Sequence, residues 1–206
     1  MEIQYYGGNC LRLGSKKAQI VVDDNLDQLG LKSITKPTDI VLNTSPQITA
    51  KTCLFQADTP GEYEIAGISI HGVAAQAHID KEGTGATIFT IEADDIKIAV
   101  AGHIYPDLSE DQLEAIGPVD VLIVPVGGNG YTLDGAGALR VIKKIEPKIV
   151  IPTHYADKGI KYEVLQRSLE EALKEMGMEP AEKVEKYKPN ILEMTDTTHL
   201  VVLERQ

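Results

Sequence analysis

Through the first hundred residues the apolar positions come in short runs, some alternating with polar residues and some continuous, each closed by a turn signal. That period reads as β-structure buried on at least one face. Ile3–Tyr6, Asn9–Leu13 and Ala18–Val22 are predicted strands, followed by Ile40–Asn43 and Cys53–Gln56. After Thr59-Pro60-Gly61 come Tyr63–Ile65 and Ile68–His71, joined by Ala66-Gly67 as a tight hairpin. Ala86–Ile91 and Ile96–Val100 flank Asp94-Asp95, a second hairpin.

Beyond residue 100 the pattern changes. Ser109 is an N-cap for a helix to Ile116, with acidic residues in its first turn and Gly117-Pro118 as its stop. Val119–Pro125 is a fully apolar strand. Thr132 or Asp134 caps a helix running to Ile145, and Lys148–Ile151 is another apolar strand. Lys161–Met176 reads as the longest helix, with Val164, Leu165, Leu169, Ala172, Leu173 and Met176 on one face. Asn190–Met194 and His199–Leu203 are expected to close the chain as a strand hairpin. Many strands followed by β-α-β-α predict an α/β protein of two facing sheets with helices outside. With no long linker and no repeat, residues 1–206 are expected to form a single domain.

Composition narrows the function classes. The 206 residues are 43% hydrophobic, enough for a full core, and carry a net charge of −11 from 31 acidic and 20 basic residues. Without a cluster of Lys or Arg to release counterions, nucleic-acid binding is not expected, and neither is an anionic membrane surface. Cys10 and Cys53 form no C-x-x-C pair, so a disulfide framework or thiolate zinc site is not expected. The opening M-E-I-Q-Y-Y has neither a basic nor an apolar leader region, which predicts a cytoplasmic protein.

Three segments carry a family likeness. They are Tyr5-Tyr6-Gly7-Gly8-Asn9-Cys10-Leu11; Thr59-Pro60-Gly61-Glu62-Tyr63-Glu64-Ile65; and Ile98–Tyr155, with A-G-H-I, L-S-E-D-Q-L, V-D-V-L-I-V-P-V-G-G, Y-T-L-D and E-P-K-I-V-I-P-T-H-Y in order. Together they resemble the metallo-β-lactamase superfamily, in particular its small branch of zinc-dependent hydrolases. The resemblance implies an αβ/βα sandwich of two mixed sheets, with its site where strand ends meet.

Members usually hold two zinc ions through H-x-H-x-D-H, a later His, a bridging Asp in a G-D pair and a His in P-x-H-Y. Imidazole and carboxylate suit zinc, and paired ions generate hydroxide near neutral pH. In this chain Ser45, Gln47, Thr49 and Ala50 occupy the four motif positions. His103 replaces the bridging Asp, and Gly8 stands where the opening loop has His. His154 keeps its place, and His78 lies near that of the remaining His, one residue late in spacing. The resemblance therefore implies a degenerate metal site and a non-catalytic or binding member. The alternative is a divergent hydrolase holding one zinc ion on His78, His103 and His154. A protein–protein module, including a homo-oligomer, is the third reading; the ligand is an unknown small molecule or protein.

Other candidates read as structural. Asp23 and Asp24 follow a strand and are expected to cap the turn. Cys10 is expected in the core. Gly127-Gly128-Asn129-Gly130 is expected as a tight turn in preference to an anion cradle, and His71 and His199 as sheet-face or surface residues.

Overall fold

The structure, a computed structural model, describes residues 1–48, 51–195 and 197–206. Its strands are β1 (Glu2–Gly7), β2 (Cys10–Gly14), β3 (Gln19–Val22), β4 (Ile40–Leu42), β5 (Phe55–Ala57), β6 (Gly61–Ile65), β7 (Ile68–Ala75), β8 (Ala86–Ala93), β9 (Ile96–Val100), β10 (Val121–Pro125), β11 (Ile149–Thr153), β12 (Pro180–Val184), β13 (Lys186–Tyr187) and β14 (His199–Leu203). The α-helices are α1 (Glu110–Ile116), α2 (Gly135–Ile145) and α3 (Leu169–Met176). They form two mixed sheets, ordered β13-β1-β2-β3-β4-β5 and β12-β14-β11-β10-β9-β8-β7-β6. None of the helices among the described residues is long and apolar enough to cross a membrane.

Strand alternation divides the apolar side chains between two layers. Ile98, Val121, Ile123, Ile149, Ile151, Val201 and Leu203 point from the second sheet into the first and meet Ile3, Tyr5, Leu11, Leu13, Ile20 and Val22. Their neighbours Ala99, Leu122, Val124, Val150, Leu200 and Val202 turn the other way, onto Ile116, Val141, Ile142, Ala172 and Met176 of the helices. Each such aliphatic chain contributes about 1.5–3 kcal/mol by leaving water, so a one-residue slip of any of these strands would exchange both layers. The outer face of the first sheet buries Cys10 and Val21 against Leu26, with Leu31 and Ile34 packed beside them in a helix-free segment.

The hairpins form where the sequence predicts them. Ala66 and Gly67 have φ 55° and 69°, and Asp94 and Asp95 have φ 53° and 61°; two consecutive left-handed residues give the twist a two-residue hairpin needs. Ser109 and Ser168 each close a capping box, with Gln112 and Glu171 respectively, and Asp134 caps α2.

Four expectations are corrected. The helix predicted over Lys161–Met176 begins only after Ser168, because the chain before it hydrogen-bonds elsewhere: Arg167 N–H donates to the Gly127 carbonyl and Ala156 N–H to the Arg167 carbonyl. Leu165, assigned to the buried face of that helix, is 83% exposed. Asn190–Met194 holds a 3₁₀ turn at Ile191–Glu193 rather than a strand. No terminal hairpin forms, since β14 runs parallel to both β11 and β12. β12 and β13 escape a reading by periodicity because their side chains are mostly exposed.

Candidate functional site

The site lies where strand ends from both sheets converge, and several of these ends turn through a left-handed residue. Asp23 after β3, Gly102 after β9 and His154 after β11 have φ 48°, 62° and 53°. Such a conformation in a histidine costs about 1–3 kcal/mol and persists only when its surroundings fix it. Here the His154 N–H donates to the Gly8 carbonyl at 2.9 Å, tying β11 to the loop after β1. Gly102 lets the end of β9 come close to the loop after β4: a Cβ there would lie 2.3 Å from Thr44 Oγ1.

His103 and His154 come together, with ring centroids 4.6 Å apart and planes at 86°. Tyr131 stands 5.1 Å from His103 and 5.8 Å from His154, and Tyr162 lies 4.9 Å from His154. His78 lines the same cavity of about 350 Å³. Its backbone N–H donates to the His103 carbonyl at 2.8 Å, while its ring is directed to the Ile104 carbonyl, 3.3 Å from Nδ1. Among the described residues, no three His, Cys, Asp or Glu side chains are gathered closely enough to hold a metal ion together. Of the four motif positions, Ser45 and Gln47 line the cavity; Thr49 and Ala50 lie outside the described residues.

Hydrogen bonds fix which nitrogen of each ring carries the proton. Thr153 Oγ1 donates to Asn9 Oδ1 at 2.8 Å, so the amide NH₂ of Asn9 faces the other way, toward its hydrogen-bonding neighbour Asp23 and toward His103 Nδ1 at 3.3 Å. An NH₂ group can only donate, so His103 Nδ1 accepts and its proton resides on Nε2. That Nε2 is shut off from solvent and has no partner. At His154 the polarity is reversed. Gln166 donates its NH₂ to the Val164 carbonyl at 2.7 Å, leaving Oε1 to accept from His154 Nδ1–H at 3.2 Å. The Nε2 of His154 is then a bare lone pair.

Burial holds both rings neutral. His103 is driven well below the usual histidine range by desolvation, then by His154 and His78. His154 falls to about 4 through desolvation, against the opposing hydrogen bonds to Gln166 and to its own backbone. Asp23 is raised to about 6 by complete burial, moderated by bonds from Thr44 and Asn9. Thr44 donates both its N–H (2.7 Å) and its Oγ1–H (2.6 Å) to that carboxylate, pinning β3 to the loop after β4.

The other candidates fall outside the cluster. Asp24 accepts from Ser33 Oγ, Thr35 Oγ1 and the backbone N–H groups of Ile34 and Thr35, organising the covering segment as a turn cap. Cys10 is fully buried, its thiol pushed up by desolvation and by Asp24 and Asp23. His199 contacts Thr195 Oγ1 at 2.9 Å, and His71 sits half-buried in β7. Gly127 is a close-approach glycine: a Cβ there would lie 2.1 Å from both Gln166 Oε1 and the His154 carbonyl. The site residues absent from the sequence reading are Asn9, Gln166, Tyr131 and Tyr162. Tyr162 and Gln166 were hidden by the helix assigned to their segment.

Residues 2–154 match the family model for the β-lactamase superfamily domain. A metal-dependent hydrolase of the UPF0173 family from Carboxydothermus hydrogenoformans is 49% identical over 43 residues, covering 21% of this chain and 19% of that protein. A UPF0173 protein of Pyrococcus abyssi is 26% identical over 182 residues, covering 77% of this chain and 85% of its own. Matches to UPF0173 metal-dependent hydrolases of Thermococcus onnurineus and Pyrococcus horikoshii span 44% of those proteins' length. A Thermotoga maritima crystal structure, assigned as a zinc-dependent hydrolase of the metallo-β-lactamase superfamily, superposes with a TM-score of 0.75 at 25% identity, covering 100% of this chain and 99% of that one.

Proposed function

The chain belongs to the metallo-β-lactamase superfamily, and from that premise we propose that it is a member without the H-x-H-x-D-H ligands that binds a small molecule and does not hydrolyse it. The observation that carries this reading is the direction of the Asn9–His103 hydrogen bond. It leaves His103 presenting an N–H, where coordination requires a lone pair. Ser45 and Gln47 add only neutral, weak donors on the cavity wall. His154 and His78, whose Nδ1–H faces the Ile104 carbonyl, each leave an Nε2 lone pair, but His103 does not and the three rings are not gathered around one point, so the donors as arranged do not fit the two-metal centre of the family. The test is elemental analysis of protein incubated with zinc and dialysed against a weak chelator, beside assays on phosphodiester, lactone and thioester substrates. The expected result is far less than one metal per chain and no turnover above buffer. One retained equivalent with turnover overturns it.

A second reading rests on the neutrality of the same rings. Zinc coordinates neutral imidazole, and burial keeps His103 and His154 in that form at pH 7. One metal on His78, His103 and His154 would need the His103 proton to move to Nδ1 and the Asn9 amide to turn over. Under this reading His154→Ala abolishes metal binding and turnover together; full activity in that variant refutes it.

A further inference from the structure

If the cavity is a binding site rather than a metal centre, as proposed above, its walls specify the charge of what it binds. We infer that it takes a small organic amine in its ammonium form, carrying an apolar or aromatic body, and that it rejects anions. The charged residues among its described lining are Asp80 and Glu163, with no Lys or Arg. Neither carboxylate takes part in an ion pair among the described residues, whereas Asp157, Asp39 and Asp120 do so elsewhere. An anion entering here meets two carboxylates and no cation.

Three further features suit an ammonium group. Tyr131 and Tyr162 bracket His154, with ring centroids 5.8 and 4.9 Å from it, and aromatic faces attract a desolvated cation. Asn25 Oδ1 is buried without a partner on the cavity wall. It is an acceptor awaiting a donor, as is the lone pair left on His154 Nε2. His103 Nε2–H, a buried donor without a partner, leaves room for a hydroxyl or ether oxygen on the same ligand.

The apolar body is read from the rim. Ile79 is 53% exposed, and Ile48 and Val164 line the same opening. A cavity of about 350 Å³ matches a small molecule rather than a peptide. The net charge of −11 favours encounter with cations over anions.

Three molecules of nearly equal shape separate the alternatives: phenethylamine, 2-phenylethanol and phenylacetate. Each is titrated by calorimetry into chelator-treated full-length protein, and into Asp80→Asn, Glu163→Gln double-variant protein. The amine is expected to bind about tenfold more tightly than the alcohol, with phenylacetate unbound and the preference lost in the double variant while the alcohol is unaffected. Equal or tighter binding of phenylacetate, no binding of any of the three, or an unchanged preference in the double variant overturns the inference. A parallel titration with one equivalent of zinc separates the two levels. If zinc is retained and phenylacetate then binds, the non-metal reading of the site fails; absence of an amine preference in the zinc-free native protein strikes this inference alone.

Discussion

At the scale of single residues, the site is decided by where two protons sit. Asn9, held by Thr153, makes His103 an acceptor at Nδ1, and Gln166, held by Val164, makes His154 a donor at Nδ1. Long-range proton–nitrogen correlation spectra at pH 7 should therefore show His103 as the Nε2–H tautomer and His154 as the Nδ1–H tautomer. Asn9→Ala should release His103 into tautomer exchange and leave Thr153 with a buried, unpaired hydroxyl, destabilising the fold by about 1–3 kcal/mol. A wild-type His103 with its proton on Nδ1 would refute the network. His154 was legible in the sequence because P-T-H-Y follows an apolar strand. Its partner Gln166 was not, because the bond depends on Gly127 letting two loops come closer than any side chain permits. Asn9 and Thr153 are far apart in sequence, and no local pattern marks an amide that will be clamped between two sheets.

At the scale of elements, the positions of most strands and of the two tight hairpins were legible because burial on alternate faces leaves a period of two in the sequence. The segment before α3 was misread for a related reason. Val164, Leu165 and Leu169 fit a helical stripe, yet Tyr162 and Gln166 are drawn into the cavity, and the helix starts where Ser168 and Glu171 satisfy its first N–H groups. The two assignments differ sharply in what Leu165 does. As a residue on a buried helical face, Leu165→Ser would cost about 2–5 kcal/mol. At 83% exposure it should change stability by no more than about 0.5 kcal/mol. Ser168→Ala, which removes the cap itself, should cost about 1 kcal/mol. Urea denaturation of both variants separates the cases, and a large loss from Leu165→Ser would restore the longer helix.

At the scale of the whole molecule, buried polar ties support the aliphatic packing, and two of them, at Asp24 and Asp23, make stability depend on pH in opposite directions. Asp24 is pushed up by burial, but hydrogen bonds from Thr35, Ser33 and Ile34 outweigh this and hold its carboxyl below the usual range. It contributes stability that is present above the unfolded carboxylate range and lost as pH falls through its folded value. Asp23 runs the other way. Its folded pKa is raised to about 6 by burial, so the protonated form favours folding, and that contribution disappears as pH rises through about 6. Between pH 4.5 and pH 7.5 the Asp23 carboxyl should therefore remove about 2 kcal/mol from the stability of the native chain. Asp23→Asn keeps an acceptor for the Thr44 N–H and no longer titrates. Relative to the native chain, it should gain about that amount at pH 7.5 compared with pH 4.5. Taking the difference between the two pH values removes any fixed cost of the substitution, and it cancels the contributions of Asp24 and the histidines, which both proteins share. Urea unfolding of the two proteins at both pH values measures it. If the variant's advantage is the same at both, Asp23 is ionised in the folded state throughout, and its tie to Thr44 is then a charged hydrogen bond that holds β3 against β4 with no penalty near neutral pH.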